Sequence, residues 1–394
     1  MKKEIYIVDA ARTAIGSFGG SLSNISPAEM GATVVKELFK RNGLTGNEVD
    51  EVLMGCILQA GHGQNVARQI AIKAGIPVEK TAMSINMVCG SGLRSVALAA
   101  QSIIAGDSEL IIAGGSESMS QAPYLLPKAR TGYRMGDQTV VDSMIYDGLT
   151  DIFNHYHMGL TAENLAEKYH LSREAQDEFA ANSQNKAERA INKNRFEAEI
   201  VPIEIPQHKK DPIIFKQDEF VRFGVTPESL SKLRPAFKKE GTVTAANSSG
   251  INDGAAAVIV ASKQACDKYH LKPMAKIASY AWHGTDPAYM GLGPVEAIKK
   301  ALQKANWSLE ELELIEANEA FAAQSLALMQ ELHLNPEITN VNGGSIALGH
   351  PIGSSGTRIL TTLIHEMVKR KSKKGLASLC IGGGMGIAMC IEGV

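Results

Sequence analysis

One stretch of this chain is written twice. Residues 338–367 carry Val341-Asn342-Gly343-Gly344-Ser345, then Gly349-His350-Pro351, then Gly353-Ser354-Ser355-Gly356-Thr357-Arg358 and an apolar helical tract. They parallel Ile85-Asn86, Gly90-Ser91-Gly92, Arg94 and the helical tract behind them. Next in order, Leu376-Ala377-Ser378-Leu379-Cys380-Ile381-Gly382-Gly383-Gly384 echoes Leu110-Ile111-Ile112-Ala113-Gly114-Gly115. Self-similarity on this scale implies a duplicated unit. Two related α/β sheets packed on each other follow, and a site belongs where their corresponding strand ends meet.

Elsewhere in the first half, apolar strands alternate with helical segments. Ile5-Tyr6-Ile7-Val8, Glu51-Val52-Leu53-Met54-Gly55 and Leu110 to Gly115 read as strands, and 27–41 and 66–74 as helices. That alternation implies βαβ units and a mostly parallel sheet. From 116 to 247 charges and prolines increase, and a helical tract spans 161–194. This segment reads as an insertion of loops and helices capping the first sheet. Strand signals resume at Ala255-Ala256-Ala257-Val258-Ile259-Val260. The apolar stretch 377–391 is broken by Gly382, Gly383, Gly384 and Gly386, and reads as two buried strands around a glycine turn, not a membrane span.

The chain has 394 residues and a net charge of −2, which argues against a dedicated nucleic-acid binder. Five cysteines, at 56, 89, 266, 380 and 390, form no CxxC pair and no metal-ligand spacing. A sparse, odd set suits a reducing compartment. Lys2 and Lys3 are followed by Glu4 and Asp9, which interrupt any signal-peptide pattern, and Glu392-Gly393-Val394 matches no peroxisomal address. Cytoplasmic is the expectation.

Cys89 follows the apolar run Met83 to Val88, read as a buried strand, and precedes Gly90-Ser91-Gly92 and a helical pattern. A thiol near a helix N-terminus meets unpaired N–H groups and the positive end of the dipole, which favour thiolate. Gly90 and Gly92 would clear space for a substrate to approach the backbone. His350 sits between Gly349 and Pro351, and a Cys/His pair is a workable nucleophile and base. Cys380 ends an apolar strand, where core packing and chemistry are both open. Gly382 would leave a backbone N–H for an oxyanion. Asn318, ahead of Glu319-Ala320-Phe321, reads either as a holder of water or as a helix N-cap.

Taken in order, these segments resemble the thiolase family over essentially the whole length. The resemblance rests on Asp9-Ala10-Ala11-Arg12-Thr13, Cys89-Gly90-Ser91-Gly92, Gly114-Gly115-Ser116-Glu117-Ser118-Met119-Ser120 and His157-Met158-Gly159. It continues through Asn252-Asp253-Gly254-Ala255-Ala256, Asn318-Glu319-Ala320-Phe321, Gly343 to Pro351 and Cys380 to Gly384. It implies an α/β fold of two duplicated βαβαβαββ halves in a five-layered α-β-α-β-α core with an inserted loop domain. The implied division is 1–118 for the first half (completed by about 248–272), 119–247 for the insertion carrying coenzyme A contacts, and 273–394 for the second half.

The resemblance also implies an acyltransferase that condenses two acetyl-CoA to acetoacetyl-CoA and CoA, or runs the reverse. Cys89 would accept the first acetyl group, with His350 activating it. His350 and Asn318, through a bound water, would hold the thioester oxygen of the second acetyl-CoA. Cys380 would remove the methyl proton, and the oxyanion at Cys89 would sit between the N–H groups of Cys89 and Gly382. Coenzyme A contacts fall on Arg222, Ser229, Leu233, Phe237 and Ser249, and the acyl pocket on His157, Met158, Met290 and Phe321. His208-Lys209-Lys210 either attracts the nucleotide phosphates or is a solvated loop face. Coenzyme A thioesters enter as substrates, no further cofactor or metal is required, and a homotetramer (a dimer of dimers) is implied, with a contact in 116–142.

His62 and Ala246 depart from the usual pattern, away from the catalytic positions. The His157-Met158-Gly159 segment and Met290 resemble the short-chain biosynthetic type. The same chemistry with a wider pocket, acting on longer 3-ketoacyl-CoA, is the alternative. A thiolase-like scaffold that binds without catalysing should have lost one of Cys89, Asn318, His350 or Cys380, and all four are present. Cys89 and Cys380 are expected close enough to form a reversible disulfide on oxidation.

Overall fold

The computed structural model describes residues 3–394. The first half runs β1 (Ile5–Thr13), α1 (Pro27–Asn42), β2 (Glu51–Gly55), α2 (Val66–Lys73), β3 (Thr81–Ile85), α3 (Ser91–Ala105) and β4 (Leu110–Ser118). An inserted segment follows, containing α4 (Met158–Lys168) and α5 (Arg173–Asn192), before β5 (Asn252–Ser262) completes the sheet. The second half is β6 (Ala275–Gly284), α6 (Gly293–Ala305), β7 (Leu314–Ala317), α7 (Ala322–Leu332), α8 (Ser355–Arg370), β8 (Lys374–Ile381) and β9 (Met385–Gly393).

The duplication is visible in the strand order. The first half reads β3-β2-β4-β5-β1, and the second β7-β8-β9-β6. In both, parallel strands give way to one antiparallel strand beside the opening strand. The counterpart of β3 is reduced to a bridge between Ile315 and Thr339. The two sheets meet edge to edge where Tyr6 pairs with Lys276 and Ile7 with Ala275.

Three apolar clusters define the layers. Met30, Val34, Leu38 and Ile70, from α1 and α2, pack on the outer face of the first sheet. Leu93, Val96 and Ile103 of α3 meet Ile359, Leu363 and Ile364 of α8 between the sheets. Val295, Ile298 and Leu328, from α6 and α7, cover the outer face of the second. The order is therefore α-β-α-β-α. The central helices and strands are apolar on more than one face because they are covered on both. Each large aliphatic side chain buried there contributes about 1.5–3 kcal/mol.

The helical tract 161–194 is two helices. His170 adopts a left-handed conformation (φ 51°) and the Ser172 side chain caps a new start at Ala175 N–H. The insertion also does more than cap the first sheet, since Ala162 and Ala166 of α4 and Ala180 and Ala181 of α5 pack against Ala320, Phe321, Ala322 and Ile346 of the second half. Buried Arg12 ties it to β1, with Nε 2.7 Å from Glu199 and the Nη1 and Nη2 groups 2.7 and 3.0 Å from Asp218. Such a fork matches a carboxylate in two places at once.

Candidate active site

The strand that was expected to run to Cys89 stops at Ile85, and it is a half-exposed edge strand. A tight turn follows in which Val88 holds φ 45°, a strained value for a β-branched residue. That turn lifts Cys89 out of the strand line and places it just before α3. Ser91 Oγ closes the turn, accepting from Met87 N–H (2.7 Å) and donating to Val88 O (2.7 Å).

Gly90 and Gly92 do not clear space for a substrate. A Cβ on Gly90 would lie 2.4 Å from Ile381 Cδ1, and one on Gly92 2.8 Å from Thr357 N. Reciprocally, a Cβ on Gly356 would lie 2.3 Å from Leu93 N. The glycines let the starts of α3 and α8 touch backbone to backbone, and Thr357 Oγ1 donates to Gly92 O at 2.8 Å. This contact brings the Cys89 turn and the His350 loop together, with Cys89 packed against the apolar cluster that includes Ile352.

Burial outweighs the helix terminus at the sulfur. Desolvation pushes the Cys89 thiol up to about 11, against the downward pull of the Gly382 and Cys89 N–H groups. Cys380, the penultimate residue of β8, is buried and raised further, first by desolvation and then by Cys89. The two sulfurs thus feel each other, and a charge on one opposes a charge on the other. Both thiols are protonated at neutral pH without a base.

His350 is held from two sides. Its N–H donates to Asn252 Oδ1 (2.9 Å), Nδ1 lies 2.6 Å from Ser355 Oγ, and Nε2 is buried without a partner. Burial, with the Arg358 cation nearby, lowers its pKa to about 3, so the imidazole is neutral. Asn318 is not a helix cap, because α7 begins after Phe321. Its Oδ1 accepts from Ser345 Oγ (2.6 Å), and its Nδ2 is buried and unpartnered. A donor and a ring nitrogen are thereby left open in a buried site, the arrangement that takes up an oxygen or a proton.

Around Cys380, the apolar cluster contains Met158, Met290 and Phe321, with Phe237 half-buried against it. Phe237 stacks on His157 (centroids 4.7 Å apart) and meets Phe321 edge-on (6.1 Å). Gly159 permits this stack, since a Cβ there would lie 2.3 Å from the Phe237 ring. His157 caps α4, its Nδ1 accepting from Gly159 N–H at 3.0 Å. Ser249 is half-buried and joins the same neighbourhood, its N–H donating to Ala320 O at 2.9 Å.

Arg222, Ser229 and Leu233 lie apart, exposed on a segment held to α5 by Arg222 N–H on Gln184 and Arg173 on the Leu230 and Leu233 carbonyls. The Ser229 hydroxyl is engaged with Thr226 O, and the Arg222 guanidinium sits 5.6 Å from the Phe220 ring. His208-Lys209-Lys210 forms an exposed hairpin tip.

Residues 5–264 match the family model described as thiolase, N-terminal domain, and residues 271–393 match thiolase, C-terminal domain. The chain belongs to the thiolase family. Among its relatives, the acetyl-CoA acetyltransferase of Cupriavidus necator is 59% identical over 389 residues, covering 99% of each chain. The crystal structure of the Bacillus anthracis acetyl-CoA acetyltransferase superposes with a TM-score of 0.97 at 44% identity, over 100% of this chain and 99% of that one. Human mitochondrial 3-ketoacyl-CoA thiolase in complex with CoA gives 0.96 at 42% identity, over 100% and 98%.

Sequence reasoning passed over several residues that organise this thiolase's site. Glu117 is buried and accepts from the N–H groups of Ile57, Leu58 and Gly353, joining the first half to the His350 loop. Burial raises its carboxyl to about 7 against those hydrogen bonds. Ser345, Ser355 and Arg358 were missed as well. The signal for Ser355 was available, because Ser354-Ser355-Gly356 matches Gly90-Ser91-Gly92 in the repeat.

Proposed function

We propose that this thiolase is an acetyl-CoA C-acetyltransferase, condensing two acetyl-CoA to acetoacetyl-CoA and CoA and catalysing the reverse thiolysis by a ping-pong route. One observation carries the reading. Two thiols, Cys89 and Cys380, act on each other, Cys380 is buried in an apolar cluster with Met158, Met290 and Phe321, and the His350 ring and Asn318 amide each keep a buried nitrogen without a partner.

In this mechanism His350 Nε2 takes the Cys89 proton, and the thiolate attacks the acetyl thioester. The C–S bond to coenzyme A breaks, the departing thiolate takes the Cys380 proton, and acetyl-Cys89 remains beside a Cys380 thiolate and a His350 ring that keeps the Cys89 proton on Nε2. Cys380, as thiolate, then removes a methyl proton from the second acetyl-CoA, and the enolate oxygen is held at His350 and Asn318. The enolate carbon attacks the acetyl-Cys89 carbonyl, whose oxyanion rests on the Cys89 and Gly382 N–H groups until the Cys89–carbon bond breaks and His350 returns its proton to the departing sulfur. Thiols suit thioester exchange because a thiolate both attacks and leaves well. Phe237, Ser249 and the exposed Arg222, Ser229 and Leu233 would carry the coenzyme A chain away from the pocket.

The methionines support a short acyl group, since Met158 and Met290 are buried in the same apolar cluster as Cys380. Met158 lies beside Gly382, its Cε 3.4 Å from where a Cβ would be. Incubation with acetyl-CoA is expected to add one acetyl group to the Cys89 peptide by mass spectrometry. Thiolysis of acetoacetyl-CoA should exceed that of a long 3-ketoacyl-CoA, and near-equal rates would shift the assignment to the longer-chain reaction. No bound cofactor enters these steps, and the free cysteines suit a reducing compartment such as the cytoplasm. Exposed Tyr124, Leu126, Tyr133, Met135 and Val140 in the 116–142 segment support a homotetramer, which light scattering tests.

A further inference from the structure

We propose that Ser355 and Ser345 are positioning residues that give His350 and Asn318 opposite hydrogen-bonding polarity: Ser355 keeps the imidazole proton on Nδ1, so that Nε2 offers a lone pair, and Ser345 turns the Asn318 amide so that its N–H groups face the site. The inference rests on the acetyltransferase reading and deepens it by naming what prepares its base and its anion holder.

Ser355 Oγ has two short contacts, 2.8 Å to Pro351 O and 2.6 Å to His350 Nδ1. Two oxygens at 2.8 Å repel unless a proton lies between them, and a carbonyl brings none. The hydroxyl proton therefore points at Pro351 O. The nitrogen contact then needs a proton of its own, and only Nδ1–H supplies it. The opposite tautomer would leave the oxygen pair without a proton. At the equivalent place in the first half, Ser91 Oγ likewise donates to a carbonyl (Val88 O) and accepts from an N–H (Met87). The second half has exchanged that backbone N–H for an imidazole N–H.

Ser345 settles the amide by the same count. Arg358 Nη2 donates to Ser345 Oγ at 3.3 Å, and Asn318 Oδ1 lies 2.6 Å away. Were the amide reversed, two donors would converge on Oγ, and its proton would have no acceptor among the described neighbours. The hydroxyl therefore donates to Oδ1, leaving Nδ2 buried without a partner. Arg358, the charge that bears on the His350 ring, disfavours a second proton there, so which nitrogen carries the single one decides its chemistry. On activation, the Cys89 S–H bond breaks, the electron pair stays on sulfur and the proton joins Nε2.

The test uses Ser355→Ala, Ser355→Thr and Ser345→Ala in the full chain. Cys89 alkylation by iodoacetamide is followed against pH, and acetylation and condensation are timed separately. Ser355→Ala is expected to slow alkylation at neutral pH about tenfold, as for losing one hydrogen bond to the ring, and to shift the profile upward. KM for acetyl-CoA should stay unchanged and Ser355→Thr should restore the profile. Ser345→Ala should leave alkylation intact while condensation slows by about tenfold. A folded Ser355→Ala protein with the parent profile overturns the proposal. So does a Ser345→Ala protein that condenses at the parent rate. If a variant does not fold, ¹⁵N-histidine NMR of the unsubstituted protein decides, with His350 assigned by difference from His350→Asn. Nδ1–H supports the proposal and Nε2–H overturns it. Alkylation and NMR need no acetyl-CoA. An unsubstituted protein that forms no acetyl-Cys89 would therefore break the acetyltransferase reading separately.

Discussion

The starts of α3 and α8 are copies of one design put to different uses. Each opens with a serine that latches the preceding turn and a glycine that touches the other helix, followed by an arginine, Arg94 or Arg358. Before α3 the turn carries a sulfur, and before α8 the loop carries an imidazole. Arg94 lies over the Trp282 ring at 3.5 Å, near the surface, whereas Arg358 is buried beside Ser345 and the His350 loop. On the proposed mechanism, neither half holds both Cys89, the nucleophile, and His350, its base. Duplication supplied two equivalent helix starts, and their divergence supplied complementary chemistry at one point.

The largest effect should come from removing either member of that pair. Cys89→Ala is expected to lower thiolysis of acetoacetyl-CoA by on the order of 10⁴-fold or more. His350→Asn should cost about 10²–10⁴-fold, with slow acetyl-Cys89 formation still detectable. A Cys89→Ala protein that kept a substantial rate would move the nucleophile elsewhere.

The touching glycines come next. Gly356→Ala and Gly92→Ala each force a Cβ into the facing backbone, and each should destabilise by about 1–3 kcal/mol in urea unfolding, Gly356→Ala more. Tolerance of both would mean that the helix starts do not depend on close approach. Ser91→Ala strands the Met87 N–H and should cost about 1 kcal/mol. Unlike Ser355→Ala, it should leave the His350 tautomer unchanged by NMR.

Acidity distinguishes the two partners further. With His350 lowered to about 3 by burial and Arg358, protonation of its ring gives no acid limb between pH 5 and 7 in kcat/KM. With Cys89 raised to about 11 by burial, removing the base in His350→Asn should leave alkylation climbing with pH and no plateau below about 10. The smallest effect is redox. Mild oxidation with a small disulfide should form a Cys89–Cys380 bridge whose activity returns on reduction, and loss that no reductant reverses would refute it.

Much of this was legible because it is periodic or local. The repeat, the strand–helix alternation and the glycine turn between β8 and β9 depend on neighbours in sequence, as does the helix start at Pro27. Cys89, His350, Asn318 and Cys380 stand out as candidates because their residue types stand at interruptions of those patterns. Contacts between distant segments were not legible. Gly90 and Gly92 were assigned to a substrate when they accommodate Ile381 and Thr357, and the thiol of Cys89 was expected to ionise when burial opposes it.

From residue order alone came the twin halves, the candidate reactive side chains and the family, since backbone periodicity and residue chemistry are local properties. Packing settled which atoms those side chains leave free. Ser345, Ser355 and Arg358 orient the amide and the ring only after two helices meet, and desolvation acts only once the site is enclosed. Hydrogen-bond direction and acidity belong to surroundings that the chain creates by folding.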